Sequence, residues 1–490
     1  MLSFKIAFFL LILTACGPIN SQWLADLNLT NHPDSSLTSQ NNARCINAQG
    51  NTVHVAWQDN RDGNYEIYYK RSTDDGANWS PETRLTSDNA VSQRPAIALS
   101  GQYVHIAWND RVSNEEIYYK RSTDGGVTWG ANLRLTNDPN LSTYPSISSS
   151  GSIVVVSWSE NRDGNYEIYY KLSTDNGGSW GADTRFTNDG AVSLQPCVSV
   201  SGQIVHITWH DNRNANDEIY YRRSTNGGVT WEAEVRLTTL PGTSFFASSY
   251  ASGQYVFTAW VENSDGNPEI YSKRSTDMGL TWEANVRQTN NLAISIRPTV
   301  TISGNNFYIT WQDGVDGNDE IYYRSSTDAG ITFSGVTRLT NEPAISVYPC
   351  HAVSASGVHV VWRDFRDGNW EVYYKRNPSG NLVGMQNLSG EIPKRYSLLQ
   401  NYPNPFNPTT SIEFLIPPLK GMDALGGRGV YATLEIFDAP GRKIGTLVNG
   451  ELSPGIYRVD WDASGHASGI YFYRLVAGNI SETKKMTLVK

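Results

Sequence analysis

The sequence predicts an all-β protein: a β-propeller of four-stranded blades, seven by count with a six-bladed ring as the alternative, followed by a small Ig-like β-sandwich. Three observations carry this. Seven tryptophans, Trp57, Trp108, Trp158, Trp209, Trp260, Trp311 and Trp362, recur at intervals of 50 or 51 residues, the mark of a repeated supersecondary unit. Each unit holds short strand-like runs separated by turns rich in Gly, Asn and Asp. The period stops near Ser389, where a Pro-rich stretch leads into strand-like runs of different spacing.

Within each unit, one apolar run ends at the marker tryptophan, as in Val53-His54-Val55-Ala56-Trp57. A turn such as Asp59-Asn60-Arg61-Asp62-Gly63-Asn64 leads to a second strand, Glu66-Ile67-Tyr68-Tyr69-Lys70-Arg71, and the pair reads as a hairpin. A third strand carries the ending seen at Arg84-Leu85-Thr86, and a fourth starts near Pro95, Pro145, Pro196, Pro298 or Pro349. Strands packed between two neighbouring blades are apolar on both faces, so strict alternation is not expected. Ring closure has two candidates. The segment Gln22 to Thr30 resembles the outer-strand segment Trp129 to Thr136, and Leu382 to Ser389 competes for the same position.

Length and composition agree with this layout. A chain of 490 residues exceeds one ordinary core. The net charge of -9 is spread along it without a basic stripe, which argues against nucleic acid as a partner. Four cysteines, Cys16, Cys45, Cys197 and Cys350, are too few for a disulfide scaffold. Ile6 to Leu13 has the length of a signal-peptide core, so residues 1–21 read as a signal peptide, with a lipobox-like Leu13-Thr14-Ala15-Cys16 as the alternative cleavage site. Residues 22–390 then form the propeller and residues 391–490 the terminal domain.

Between second and third strands six units carry Ser-x-Asp-x-Gly-x-Thr-Trp or a close variant, centred on Asp74, Asp124, Asp175, Asn226, Asp277 and Asp328. The short acidic side chain can accept turn hydrogen bonds, Gly permits positive φ, and the aromatic ring plugs between strands. These motifs resemble the Asp boxes, or BNR repeats, of sialidase-like propellers over roughly residues 42 to 390. The resemblance implies a structural role for the boxes, on the face opposite the functional one. Sialidases have six blades, so seven units depart from that enzyme family.

The resemblance further implies a retaining glycosidase with a Tyr nucleophile, an activating Glu, an Asp acid/base and an arginine triad for a substrate carboxylate. Such groups should be singular. Instead Asp59, Asp110, Glu160, Asp211, Glu262, Asp313 and Asp364 follow every marker tryptophan by two positions, and Glu66, Glu116, Glu167, Glu218, Glu269, Glu320 and Glu371 recur likewise. One reading pairs them with Arg61, Arg162, Arg213 and Arg366 at blade edges. The other makes them shallow ligand sites on the functional face, with Tyr65, Tyr166 and Trp370 stacking on sugars. A Phe-Arg-Ile-Pro string, expected of sialidases, is missing; Arg94-Pro95 and Arg297-Pro298 are its only echoes and occupy an ordinary repeat position.

His54, His105, His206 and His359 share a repeat position that elsewhere holds Val155, Phe257 and Tyr308, so packing explains them better than metal binding. No metal or other cofactor is expected. His210 is off-pattern and reads as a loop residue or a functional one. Cys45, Cys197 and Cys350 share a position on the strand nearest the channel; ring closure would make the first and last neighbours, as a pair or as separate buried thiols.

The terminal domain carries Asn401-Tyr402-Pro403-Asn404-Pro405-Phe406-Asn407-Pro408, Gly469-Ile470-Tyr471-Phe472-Tyr473-Arg474-Leu475 and Lys484-Lys485-Met486. These strings resemble the type A sorting domain of the type IX secretion system, which implies export through that machinery as a partner. Residues 417 to 430 read as a Gly-rich loop. The resulting expectation is a secreted or surface-attached monomer that binds glycans or glycoproteins without catalysis. An exo-acting glycoside hydrolase of sialidase type is the alternative, and a surface scaffold the second.

Overall fold

A computed structural model describes residues 23–40, 44–355, 357–378, 386–389, 393–417, 430–452, 455–463, 466–478 and 480–489. The expected signal peptide, the lipobox-like Cys16 and most of the Gly-rich loop lie outside these residues. No helix occurs among the described residues.

Seven successive antiparallel sheets fill Leu27 to Asn377. In the second, Val91–Ser100 pairs with Tyr103–Arg111, that strand with Glu115–Ser122, and that in turn with the two-residue strand Leu133–Arg134. The marker tryptophans are at most 1 % exposed, because both sheet faces are covered. One apolar cluster shows how: Ala56, Ile67, Tyr69 and Leu85 of the first sheet pack on Ile97, Val104, Ile106 and Trp108 of the second. Burying one such large side chain contributes roughly 1.5–3 kcal/mol, so sheet-on-sheet contact is the main source of stability. The innermost strands neighbour one another in sequence order, and the last, Ser346–Val353, lies beside the first, Ile46–Gln49. The circuit is closed.

The closing strand is the N-terminal one. Leu27 pairs with Tyr374 and Asn28 with Tyr373 on the third strand of the seventh sheet. The rival segment goes elsewhere: Gln386–Ser389 pairs with Gly455–Asp462 in the terminal region. That region forms two four-stranded antiparallel sheets, which share one core containing Phe414, Leu434, Ile436, Val459, Tyr473 and Met486.

The six Asp boxes share one hydrogen-bond pattern. In the second, Asp124 accepts from the Ser122 hydroxyl at 2.7 Å, the Thr128 amide at 2.8 Å and the Thr128 hydroxyl at 2.6 Å. These donors hold its carboxyl well below the usual range, the Thr128 hydroxyl contributing most. The box aromatic plugs the gap between sheets: Trp129 stands edge-on to Tyr69 of the preceding sheet at 4.9 Å, as Trp180 does to Tyr119 and Trp282 to Tyr221. The same tyrosines bond His54, His105 and His206 at 2.6–2.7 Å. Burial pushes each of these imidazoles down to about 3, so they stay neutral joints between sheets.

Candidate functional site

Antiparallel order puts the turns after the marker tryptophans at one end of the ring and the Asp boxes at the other. The recurring acidic residues lie at the first end but are committed inside the protein. Asp59 is fully buried and accepts from Ser36, from the Trp57 indole at 3.1 Å and from Arg61 at 2.6 and 2.8 Å. Burial alone would raise its pKa; Arg61 and Ser36 outweigh that and lower it. Asp211 with Arg213 and Asp364 with Arg366 repeat the arrangement, and Glu160 meets Arg162 at 3.0 Å. Each of the four arginines also lies over a tyrosine of its own sheet at 4.2–4.7 Å. Glu262 and Asp313 lack the arginine and take Ser244 and Ser295 hydroxyls at 2.7 and 2.6 Å. Most polar atoms of these carboxylates and arginines are engaged within the fold, although Glu160 Oε1 has no hydrogen-bond partner among the described residues.

Asp110 differs from the others in the acidic ring by having neither an arginine nor a serine hydroxyl on it: among the described residues its Oδ1 and the Ser92 hydroxyl have no hydrogen-bond partner. Burial, helped by Asp88, pushes its carboxyl up to about 6.

A second set of residues was not legible as a site. Each innermost strand from the second sheet onward has a register break near its start, between Gln93 and Ala96 in the second sheet and Ile296 and Thr299 in the sixth. At the break stands a non-glycine residue in the left-handed region: Arg94, Tyr144, Gln195, Phe246, Arg297 and Tyr348, with φ between 51° and 59°. Five precede proline, which disfavours helical backbone at that residue. Positive φ at bulky residues is uncommon and strained. The residue after the marker tryptophan of the preceding sheet holds the strained amide: Gln58 accepts from the Arg94 amide at 2.8 Å, Ser159 from Gln195 at 3.0 Å and Gln312 from Tyr348 at 3.1 Å. His210 occupies that position too, buried on the strand Ile204–Asp211 instead of in a loop.

The bulge side chains are half-buried and meet across the sheets. The Arg297 guanidinium lies 3.7 Å from the Phe246 ring centroid and 4.8 Å from that of Tyr348, and Arg363 lies 4.2 Å from Tyr348. Arg94 lies 4.7 Å from Tyr144 and reaches Glu115 at 3.1 Å. Tyr166, of the sequence-predicted stacking residues, joins this group: burial raises its pKa, and Glu115, Tyr144 and Arg94 all act on it. Tyr65 acts on Arg363 from the first sheet. Arg297 and Arg363 donate to the Gln40 and Thr38 carbonyls, and among the described residues neither has a carboxylate within 4 Å. Burial pushes Arg363 down to about 10 and lowers Arg297. Trp370 packs edge-on to Phe365 at 5.1 Å. Deeper in the channel, Arg44 lies over Tyr250 at 4.3 Å and lines two cavities walled by Asn47, Ser148, Ser149, Thr301 and His351.

Among the described residues no group of three His, Cys, Asp or Glu side chains is placed to hold a metal ion.

Residues 101–248 match the family described as BNR repeat-like domain, and residues 400–489 match the secretion system C-terminal sorting domain. No curated protein sequence matches the chain. Among solved structures, a polysaccharide lyase, ulvan lyase, bound to -[GlcA(1-4)Rha3S]-, is similar at 12 % identity with a TM-score of 0.50, over 72 % of this chain and 94 % of the other. A mutant Trypanosoma rangeli sialidase displaying trans-sialidase activity aligns at 12 % identity with a TM-score of 0.45, over 94 % of this chain and 88 % of the other. The chain therefore carries a BNR-repeat β-propeller followed by a secretion system C-terminal sorting domain, which indicates export by type IX secretion to the cell surface or beyond.

Proposed function

We propose that the protein is an exported seven-bladed propeller, joined to an Ig-like sorting domain, that binds anionic glycans at the channel mouth without turning them over. One observation supports this above the others: Arg297 and Arg363 stand half-buried or buried against aromatic rings with no carboxylate beside them. A desolvated guanidinium whose partners are carbonyls, hydroxyls and ring faces leaves its charge uncompensated, and its planar fork suits a carboxylate or sulfate. Tyr144, Tyr348 and Phe246 offer flat faces for sugar rings beside it. The similar lyase was solved with a glycan of uronate and sulfated sugar, which is consistent with an anionic ligand for this fold. We place the domain boundary between Asn377 and Gln386, since the strand at Gln386–Ser389 pairs within the terminal sheets.

A second reading, glycoside hydrolysis of sialidase type, has one observation in its favour: Arg94, Glu115, Tyr144 and Tyr166 come together on adjoining sheets as a combination found once round the ring. Against it, Glu115 is engaged by Arg94, and burial raises Tyr166 away from the phenolate a nucleophile needs. Incubating the mature chain with aryl glycosides, sialosides included, and with uronate polymers distinguishes the two. Retention of the polymer without product supports binding; released fluorophore or shortened polymer supports catalysis.

A further inference from the structure

The ring is closed on its outer side by a strand of only two residues, Leu27–Asn28. On its inner side the seam brings together Cys350, on Ser346–Val353, and Cys45, which immediately precedes Ile46–Gln49. These two innermost strands are neighbours across the seam. Both cysteines are buried, at 0 % and 3 % exposure, in one apolar cluster with Ile46, Val53, Val361 and Val372. Both are free thiols in the structure, and each shifts the other's titration, Cys45 upward and Cys350 downward. Cys197 holds the equivalent place in the fourth sheet, far round the ring, and its sulfur bonds the Ser249 backbone instead. Only the first and last sheets carry cysteine at this position on both sides of one seam.

We propose that Cys45 and Cys350 form a disulfide that fastens the last sheet of the propeller to the first. An exported chain passes through an oxidising compartment, where a disulfide-bearing thiol oxidase of the cell envelope is the oxidant. Before the last sheet docks, the Cys350 sulfur is accessible, and its thiolate fraction is the nucleophile. That thiolate attacks one sulfur of the oxidase disulfide, forming a mixed disulfide and releasing the other oxidase sulfur as thiolate. The deprotonated Cys45 sulfur then attacks Cys350 Sγ, forms the intramolecular S–S bond and expels the second oxidase thiolate. Two electrons pass to the oxidase and two protons leave the cysteines. Because both sulfurs are buried once the ring is closed, the mixed disulfide forms before the last sheet docks. The bond then removes the freedom of the chain between the two residues from the unfolded state.

The test is peptide mapping of the full chain recovered from its native export route, denatured and alkylated without reductant. The expected product is one linked pair, the tryptic peptide from Cys45 to Arg61 joined to that from Leu339 to Arg363, with Cys197 alkylated; a Cys197→Ser variant keeps the link. Alkylation of both Cys45 and Cys350, or a link to Cys197, overturns the proposal. A melting midpoint that reductant lowers in the wild type but not in Cys350→Ser supports the fastening role, and an equal response of both overturns it.

Discussion

The Arg363 guanidinium carbon stands 4.2 Å from the centroid of the Tyr348 ring, and Tyr348 also receives Arg297 at 4.8 Å. One tyrosine thus carries two cations from two sheets, with no carboxylate within 4 Å of either among the described residues. Replacing Arg297 by Gln should weaken binding of a polyuronate or sulfated polysaccharide by roughly 10- to 100-fold, the scale of about 1.5–3 kcal/mol for a hydrogen bond to a charged group. Titration calorimetry on variant and wild type measures this. Equal affinity would remove Arg297 from the site.

Tyr69 and Gly126 form a tighter joint. A Cβ on Gly126 would lie 1.9 Å from the Tyr69 hydroxyl, and the residue sits at a φ of 81°. Gly126→Ala should therefore destabilise by about 2–4 kcal/mol through overlap and strain. Gly63→Ala isolates the overlap, since Gly63 also sits in the left-handed region, at a φ of 95°, but nothing lies within 4 Å of its Cβ position. Denaturant unfolding of the two variants should differ clearly; equal midpoints would contradict the packing of box against tyrosine.

Asp124→Ala should lower the melting temperature and leave glycan binding unchanged, because its bonds close a turn at the end opposite the mouth. The pH dependence has a definite sign. A carboxyl held below its usual range stabilises the fold above that range and ceases to do so as pH falls through the lowered value. The gap between wild type and variant should thus narrow below about pH 4. A gap that widens in acid would refute the hydrogen-bond account.

Asp110 predicts the opposite sign. Its carboxyl, pushed up to about 6, is tolerated when protonated and costs stability as pH rises through that value. Asp110→Asn should stabilise the protein at pH 7–8 by roughly 1–3 kcal/mol and have little effect near pH 4. Thermal unfolding at the two pH values decides, and destabilisation at neutral pH would show that the carboxylate is paired.

Truncation from residue 386 onward should leave the propeller in the periplasm, since the sorting match lies wholly within the removed segment. Cell fractionation with an antibody against the propeller reads this out. Surface display of the truncated chain would separate export from the terminal domain.

The repeat was legible because burial between sheets demands the same large residues in every unit: Trp57 and its six equivalents are all buried as the spacing implies. The acidic ring was equally visible, yet repetition reflected its use as an internal hydrogen-bond frame, with Asp59 held by Arg61 and Ser36. The mouth was hidden for the converse reason. Arg94 and Arg297 were noticed only as part of an ordinary repeat position, whereas that position is the strained bulge where identity varies from sheet to sheet. Proline after five of the six bulge residues was the available signal. What a linear pattern lacked was the crossing of side chains between sheets, such as Arg297 between Phe246 and Tyr348.

The most direct test of the central claim is an array of neutral, uronate-bearing, sulfated and sialylated glycans probed with the mature chain, in parallel with an Arg297→Gln/Arg363→Gln variant of matched melting temperature. The account predicts signal confined to anionic glycans, lost in the variant and weakened by salt. Binding to neutral glycans that the variant retains would contradict it.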